Sequence, residues 1–322
     1  MTNANKDIMK RYDEIYRFYL KSVSITNYNI YKDKLIKLPV KGGRNFDYAS
    51  LDEKNLYAML MFRNLSQMYL SGFNDASHKN QRCDNQQLCD FLAMKIMEML
   101  IIYIHRGEPK PYIEEADKIG VSLLTLLACK QLDIVDWLYD ELINSITNGT
   151  AKKSITHGES SPEIQKLFVL VIEMLASERK QTVDWTAAGI PVERFYLDFV
   201  HEALYSSDDD VLKKWLTALC DQHLKWCSRF PAVPAEAFGY DIPISMGLWP
   251  FEYQAVKNFR AKHGLDTPEI EHPLMKTVFA RMPDPDFSQW QKPDWFEDFC
   301  EKLFEVNPDI SFVRDVFFMN KG

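Results

Sequence analysis

The sequence predicts an all-α protein, a multi-helix bundle of two packed helical halves. Stretch after stretch repeats apolar residues at a 3.6-residue spacing, and none shows the sustained alternation of a strand. Only 12 glycines occur in 322 residues, too few for the tight turns of an all-β fold or for a glycine-lined nucleotide site. A hydrophobic content of 46% with 26% charged residues is that of a soluble globular chain.

In the first half, Met9, Tyr12, Ile15, Tyr16 and Tyr19 share one stripe, with Lys10, Arg11, Asp13, Glu14 and Arg17 on the remaining faces. Residues 39–45, containing Lys41-Gly42-Gly43-Arg44, read as a loop. A helix is expected over residues 51–69, with Ser50 and Glu53 spaced as a capping box. The polar, glycine-containing residues 71–81 are expected to be loop. Residues 88–105 are apolar nearly all round, the pattern of a helix buried between others. One or two helices follow over 123–146, through Trp137, Leu138 and Leu142.

Residues 148–162 are polar, hold two glycines and lack an apolar period, which marks a linker. The expected organisation is therefore a helical domain at 1–150, a linker at 151–165 and an acidic helical domain at 166–322. Helical stripes follow at 164–176, 191–205 and 211–227, the last two joined by Ser206-Ser207-Asp208-Asp209-Asp210. Serine and aspartate there suit a helix start, where free amides and the positive end of the dipole need acceptors. Residues 230–250 carry Pro231, Pro234, Pro243 and Pro250 and read as a loop or a recognition surface. Residues 267–271 and 282–295 also read as loops, and 294–306 as the final helix, offering Trp295, Phe299 and Phe304 to the core.

Chemistry is conspicuous mainly by the motifs that do not occur. No phosphate-binding glycine loop, zinc-protease helix or nucleophile elbow is present. The seven histidines are dispersed, and neither a catalytic residue nor a cofactor-binding set is assigned. Cys220, His223 and Cys227 fall on one helical face, but a zinc site lacks a fourth ligand and no Cys-x-x-Cys pair exists. The six cysteines are expected to be free thiols of a cytosolic protein. The polar start of the chain carries no export signal. Apolar runs such as 99–104 are far too short to span a bilayer.

The net charge of −8 is unevenly placed. Residues 1–150 carry 19 basic and 19 acidic side chains, and residues 151–322 carry 19 and 27. Such a surface disfavours nucleic acid and suits a basic protein partner. The exposed-loop acids Asp208, Asp209, Asp210, Glu269, Glu271, Asp284 and Asp286 are the candidate contact residues. Ordinary solubility charge and helix capping are the alternative reading of the same residues.

The run Gly247-Leu248-Trp249-Pro250-Phe251-Glu252, continuing to Ala255, Val256 and Phe259, opens an amphipathic helix. Pro250 suits the first turn, Glu252 complements the helix dipole, and Gly264 is the expected stop. Trp249 and Phe251 are expected to be core residues. The run resembles the Gly-Tyr-Trp-Ser-Phe-Glu-Ala-Ala-Ala-Val signature of the PoNi immunity proteins, with Leu248 at an aromatic position and Pro250 at a small one. Tyr103-Ile104-His105-Arg106-Gly107-Glu108 resembles the family's Tyr-Ser-x-Gly-Glu stretch, with Ile104 for Ser. The resemblance implies an all-helical, non-enzymatic binder that neutralises a PoNe-type DNase toxin of bacterial type VI secretion. The expected partner is thus a cognate nuclease domain, with no cofactor or metal, and a homodimer is left open. The alternatives are a helical adaptor for another basic protein and a metal-dependent hydrolase using Cys220 and His223.

Overall fold

A computed structural model of the chain describes residues 51–104, 116–156, 161–227 and 242–318. The stripe at 9–19, the loop at 39–45, the Ser50 cap, the His105–Glu108 portion of the second motif and most of the proline-rich segment lie outside them. The structure is about 70% helical, with 11 α-helices and no strand among the described residues. In chain order these are α1 (Leu51–Asn80), α2 (Asn85–Ile104), α3 (Ala116–Ala128), α4 (Leu132–Thr147), α5 (Thr150–Ser154) and α6 (Leu167–Glu178). Then come α7 (Arg194–Glu202), α8 (Asp209–Cys227), α9 (Phe251–Lys262), α10 (Phe296–Val306) and α11 (Arg314–Phe317).

The described chain falls into two compact units, and the division is not the one expected. Residues 116–280 belong to one, and 51–104 with 281–318 to the other. The expected linker contains α5, whose Ala151 and Ser154 are buried, as is Ile155 after it. At its far end Gln165 makes a bridge to Val192, donating to Pro191 O at 2.9 Å and accepting from Glu193 N at 2.8 Å. That bridge also explains why α7 begins at Arg194 rather than at Pro191. The segment's short apolar contacts are too few to show a period, yet they fix it within the unit.

In the discontinuous unit, α1 buries Ala58, Phe62, Leu65, Tyr69 and Phe73 along one face. It runs eleven residues beyond the expected end. Residues 71–80 are helical because Phe73, Asn74 and Ser77 are buried there, so tertiary packing overrides a polar composition. The short turn at 81–84 folds α2 back antiparallel, and the buried Glu98 carboxylate joins the two helices. It accepts from Ser66 Oγ at 2.9 Å, Arg63 Nε at 3.2 Å and Lys95 Nζ at 2.7 Å. The 281–318 segment closes over this hairpin. Trp290 Nε1 donates to Asp90 Oδ1 at 2.9 Å, and Asn307 Nδ2 donates to Asn55 Oδ1 at 3.0 Å. Phe62, Trp290, Phe296, Phe299 and Phe317 form the aromatic core, with Trp290 and Phe317 meeting Phe296 edge-on at 5.0 and 5.4 Å. The expected final helix, α10, is followed by a 3₁₀ turn (Pro308–Val313) and α11.

In the continuous unit, α3 and α6 are buried almost all round and cross closely. Gly120 makes the approach possible: a Cβ there would meet Phe168 N at 2.3 Å and Leu167 C at 2.5 Å. Because both are backbone atoms, nothing flexible can yield. Gly120→Ala is expected to cost about 3 kcal/mol, the upper range for overpacking. Urea denaturation measures it, and a loss below about 1 kcal/mol contradicts the close crossing.

Beside Gly120, Asp117 reaches the amino end of α6. Its carboxylate accepts from Lys166 N at 2.9 and 3.1 Å and from Phe168 N at 3.0 Å, satisfying amides that the helix leaves unpaired. Helix α9 packs on α3, and Asn258 Nδ2 donates to Leu127 O and Ala128 O, both at 2.8 Å, at the carboxyl end of α3. Gly264 ends α9 with φ +69°, the left-handed position that favours glycine. Leu265 N then returns to Arg260 O at 3.0 Å.

Candidate functional site

The seven candidate acids are all exposed, but the structure divides them. Asp208, Asp209, Asp210, Glu269 and Glu271 belong to the continuous unit, and Asp284 and Asp286 to the other.

At the start of α8, Ser206 Oγ accepts from Asp208 N at 3.1 Å. Asp208 Oδ1 accepts from Asp210 N at 2.9 Å and Val211 N at 3.2 Å. Asp208 is therefore the cap, and Asp209 and Asp210 stand in the first turn, where the dipole favours them. Residues 269–272 alternate: Glu269 and Glu271 face solvent, while Ile270 and His272 are buried. His272 Nδ1 accepts from Leu274 N at 3.2 Å, so its Nε2 carries the proton that faces Asp221 Oδ1 of α8 at 3.2 Å.

The two stretches share a support that the sequence did not reveal. Arg260 of α9, only 2% exposed, donates through its guanidinium to Leu204 O and, at 3.0 Å, to Ser206 O. It also donates to Asp266 O at 2.6 Å and Thr267 Oγ1 at 3.2 Å. One planar fork thus pins the loop before α8 and the loop after α9. Burial lowers its pKa, and the Asp209 and Asp266 carboxylates oppose that shift. In sequence, Arg260 is one cation on an amphipathic helix, and nothing in its spacing identifies four acceptors.

In the other unit, Asp286 caps the 3₁₀ turn Phe287–Gln289, accepting from Ser288 N at 2.9 Å and Ser288 Oγ at 2.6 Å. Its backbone exchanges hydrogen bonds with the Asn85 side chain at 2.9 and 3.1 Å. Asp286 therefore has a local structural role of its own.

The Gly247–Phe259 run is built into the core. Trp249 and Phe251 are buried, and Trp249 Nε1 donates to Gln254 Oε1 at 2.6 Å. Pro250 precedes the first helical residue rather than occupying the first turn. Glu252 does stand in that turn, but it is 1% exposed and lies 2.7 Å from His223 Nδ1. Its main partner is a histidine rather than the dipole alone. His223 Nε2 lies 3.1 Å from Gly247 O. Both ring nitrogens are thus engaged by protein oxygens, and Cys220 and Cys227 are buried beside them. Among the described residues, no group of three His, Cys, Asp or Glu side chains is arranged to hold a metal ion. No helix among them is long and apolar enough to cross a membrane.

No family model matches this chain, and no curated protein or solved structure shows significant similarity to it.

Proposed function

We propose that this chain is a stoichiometric protein inhibitor, an immunity protein of PoNi type whose partner is the basic nuclease domain of an antibacterial toxin. The observation that carries this reading is the Arg260 fork, which holds two stretches bearing five exposed acids in fixed backbone positions. Pre-ordered acids lose little freedom on meeting lysine and arginine. A nuclease must present positive charge to phosphate, so an acidic inhibitor competes for the face its substrate needs. The resemblance of the Gly247–Glu252 run to the family signature and the acidic excess of residues 151–322 support the same partner class. The inhibitor acts by occupancy in the compartment where the toxin meets DNA.

The capping roles decide which residues test the surface. Asp208 and Asp286 are left in place, because their loss perturbs a helix or turn start. Asp209 and Asp210, Glu269 and Glu271, and Asp284 are changed to Lys as three variants. Each is titrated at low and high salt against a purified PoNe-type nuclease domain. Reversal at a contact is expected to slow association roughly tenfold, with the loss shrinking at high salt, where exposed charges are screened beyond about 8–10 Å. If the nuclease does not bind the wild type while another basic protein does, the chain is a helical adaptor. If it binds all three variants unchanged at both salts, recognition by these acids is wrong.

A further inference from the structure

His223 and Glu252 form a pair that the proposed binding surface does not use. They join α8 to the turn that begins α9, and both are 1% exposed. The two groups facing the ring nitrogens are a carboxylate oxygen at 2.7 Å and a backbone carbonyl at 3.1 Å. Neither the carbonyl nor an ionised carboxylate can donate. A neutral imidazole has one N–H, so against an ionised carboxylate it would leave one of these contacts without a hydrogen, whereas the doubly protonated ring satisfies both.

We propose that the Gly247–Phe251 turn is fastened to α8 by a proton. His223, held as an imidazolium, donates to Gly247 O and to Glu252 Oε2, and removing that proton releases the turn and the amino end of α9. The groups around the ring agree. From α8, Cys227 interacts with it, and Cys220 stands near Glu252 with Asp221 beyond it. From α9 come Glu252, the edge-on ring of Phe251 at 5.4 Å, and Tyr253, which faces Cys220. The charge acting on the ring is thus the Glu252 carboxylate, with the Cys227 sulfur beside the ring, and both favour the cation.

Burial works against the charged ring, but Glu252 and Cys227 together more than offset it and hold its pKa well above the ordinary 6.5. A folded value above the unfolded one gives a contribution that is fully present below about pH 6.5 and lost as pH rises through the folded value. The latch is therefore closed through neutral pH and opens on the alkaline side. Glu252 Oε1 is buried without a hydrogen-bond partner, so the carboxylate has no second anchor once the imidazolium is gone.

Ring-nitrogen NMR of the full chain tests the first half. Both His223 nitrogens are expected to carry protons at pH 8, where an ordinary histidine has lost one. A bare ring nitrogen at pH 7 overturns the proposal. Hydrogen exchange tests the second half through the amides of Trp249 and Phe251, which bond to Met246 O and Trp249 O. Corrected for the intrinsic rise with pH, their protection is expected to hold to pH 8 and then fall in step with the titration of His223. Glu252→Gln is expected to lower the proton affinity of His223 at least tenfold and to move the exchange step to lower pH by the same amount. An unchanged titration in that variant, or an exchange step that stays put while the titration moves, overturns the latch. His223→Gln is expected to abolish the step; its persistence in the folded variant does the same. Should that variant not fold, the Glu252→Gln measurements decide alone.

Discussion

Trp249→Ala is expected to lower the unfolding free energy by about 3–5 kcal/mol, the range for truncating a buried aromatic. The indole is 1% exposed, so its removal leaves a cavity that the surrounding helices fill only in part. It also removes the donor to Gln254 Oε1, whose amide nitrogen stays committed to Phe279 O at 2.7 Å. The remaining buried oxygen then has no donor, a further penalty of about 1–3 kcal/mol where water cannot reach it. Phe251→Ala is expected to cost a similar amount through the cavity alone, since Phe251 has no polar tip. Urea denaturation with a constant slope measures both, and the melting temperature falls whether or not a partner is bound. A Trp249→Ala protein of unchanged stability that has lost partner binding would show that the tryptophan is a contact residue instead.

Asp117→Ala is expected to be comparably severe, at about 3–5 kcal/mol. Its carboxylate accepts the first amides of α6 inside the continuous unit and lies 3.8 Å from the buried Lys166 ammonium. Alanine removes the acceptor of the Lys166 and Phe168 amides and takes a negative charge from beside a buried cation. Asp117→Asn separates the two losses. A single amide oxygen can replace Oδ1, which takes both the Lys166 and Phe168 amides, so this variant keeps most of the cap and loses only the charge. The expected order of stability by urea titration is wild type, then Asn, then Ala. An Asn variant as unstable as the Ala variant assigns the effect to charge, and an Ala variant within about 1 kcal/mol of wild type removes the cap from the account.

The helices were legible because burial imposes a period on sequence. In α4 the buried residues Ile134, Val135, Leu138, Tyr139, Leu142 and Ile146 recur at helical spacing, and in α8 the stripe runs through Leu212, Leu216, Leu219 and His223. Composition misled where polar residues are buried. Asn74 and Ser77 lie inside α1 and look like loop only when their neighbours are unknown. The exposure of the seven acids was legible from the lack of an apolar period around them. Their division between units was not, because it depends on where residues 281–318 pack. Arg260 and the His223–Glu252 pair were hidden for a related reason. Each joins positions tens of residues apart, and a single sequence records the side chains without recording what they meet.

The interrupted unit also constrains how the chain acquires its structure at the ribosome. Residues 116–280 are consecutive, so that unit has all its partners as soon as it has emerged. Helices α1 and α2 are made earlier, yet the aromatic residues that cover them, Trp290 to Phe317, are made only after that unit. At about 5–20 residues per second, the hairpin waits on the order of ten seconds or more with Phe62 and its neighbours uncovered. The nascent chain is thus vulnerable to aggregation and proteolysis at α1 and α2, and that exposure ends only when residues 281–318 have emerged.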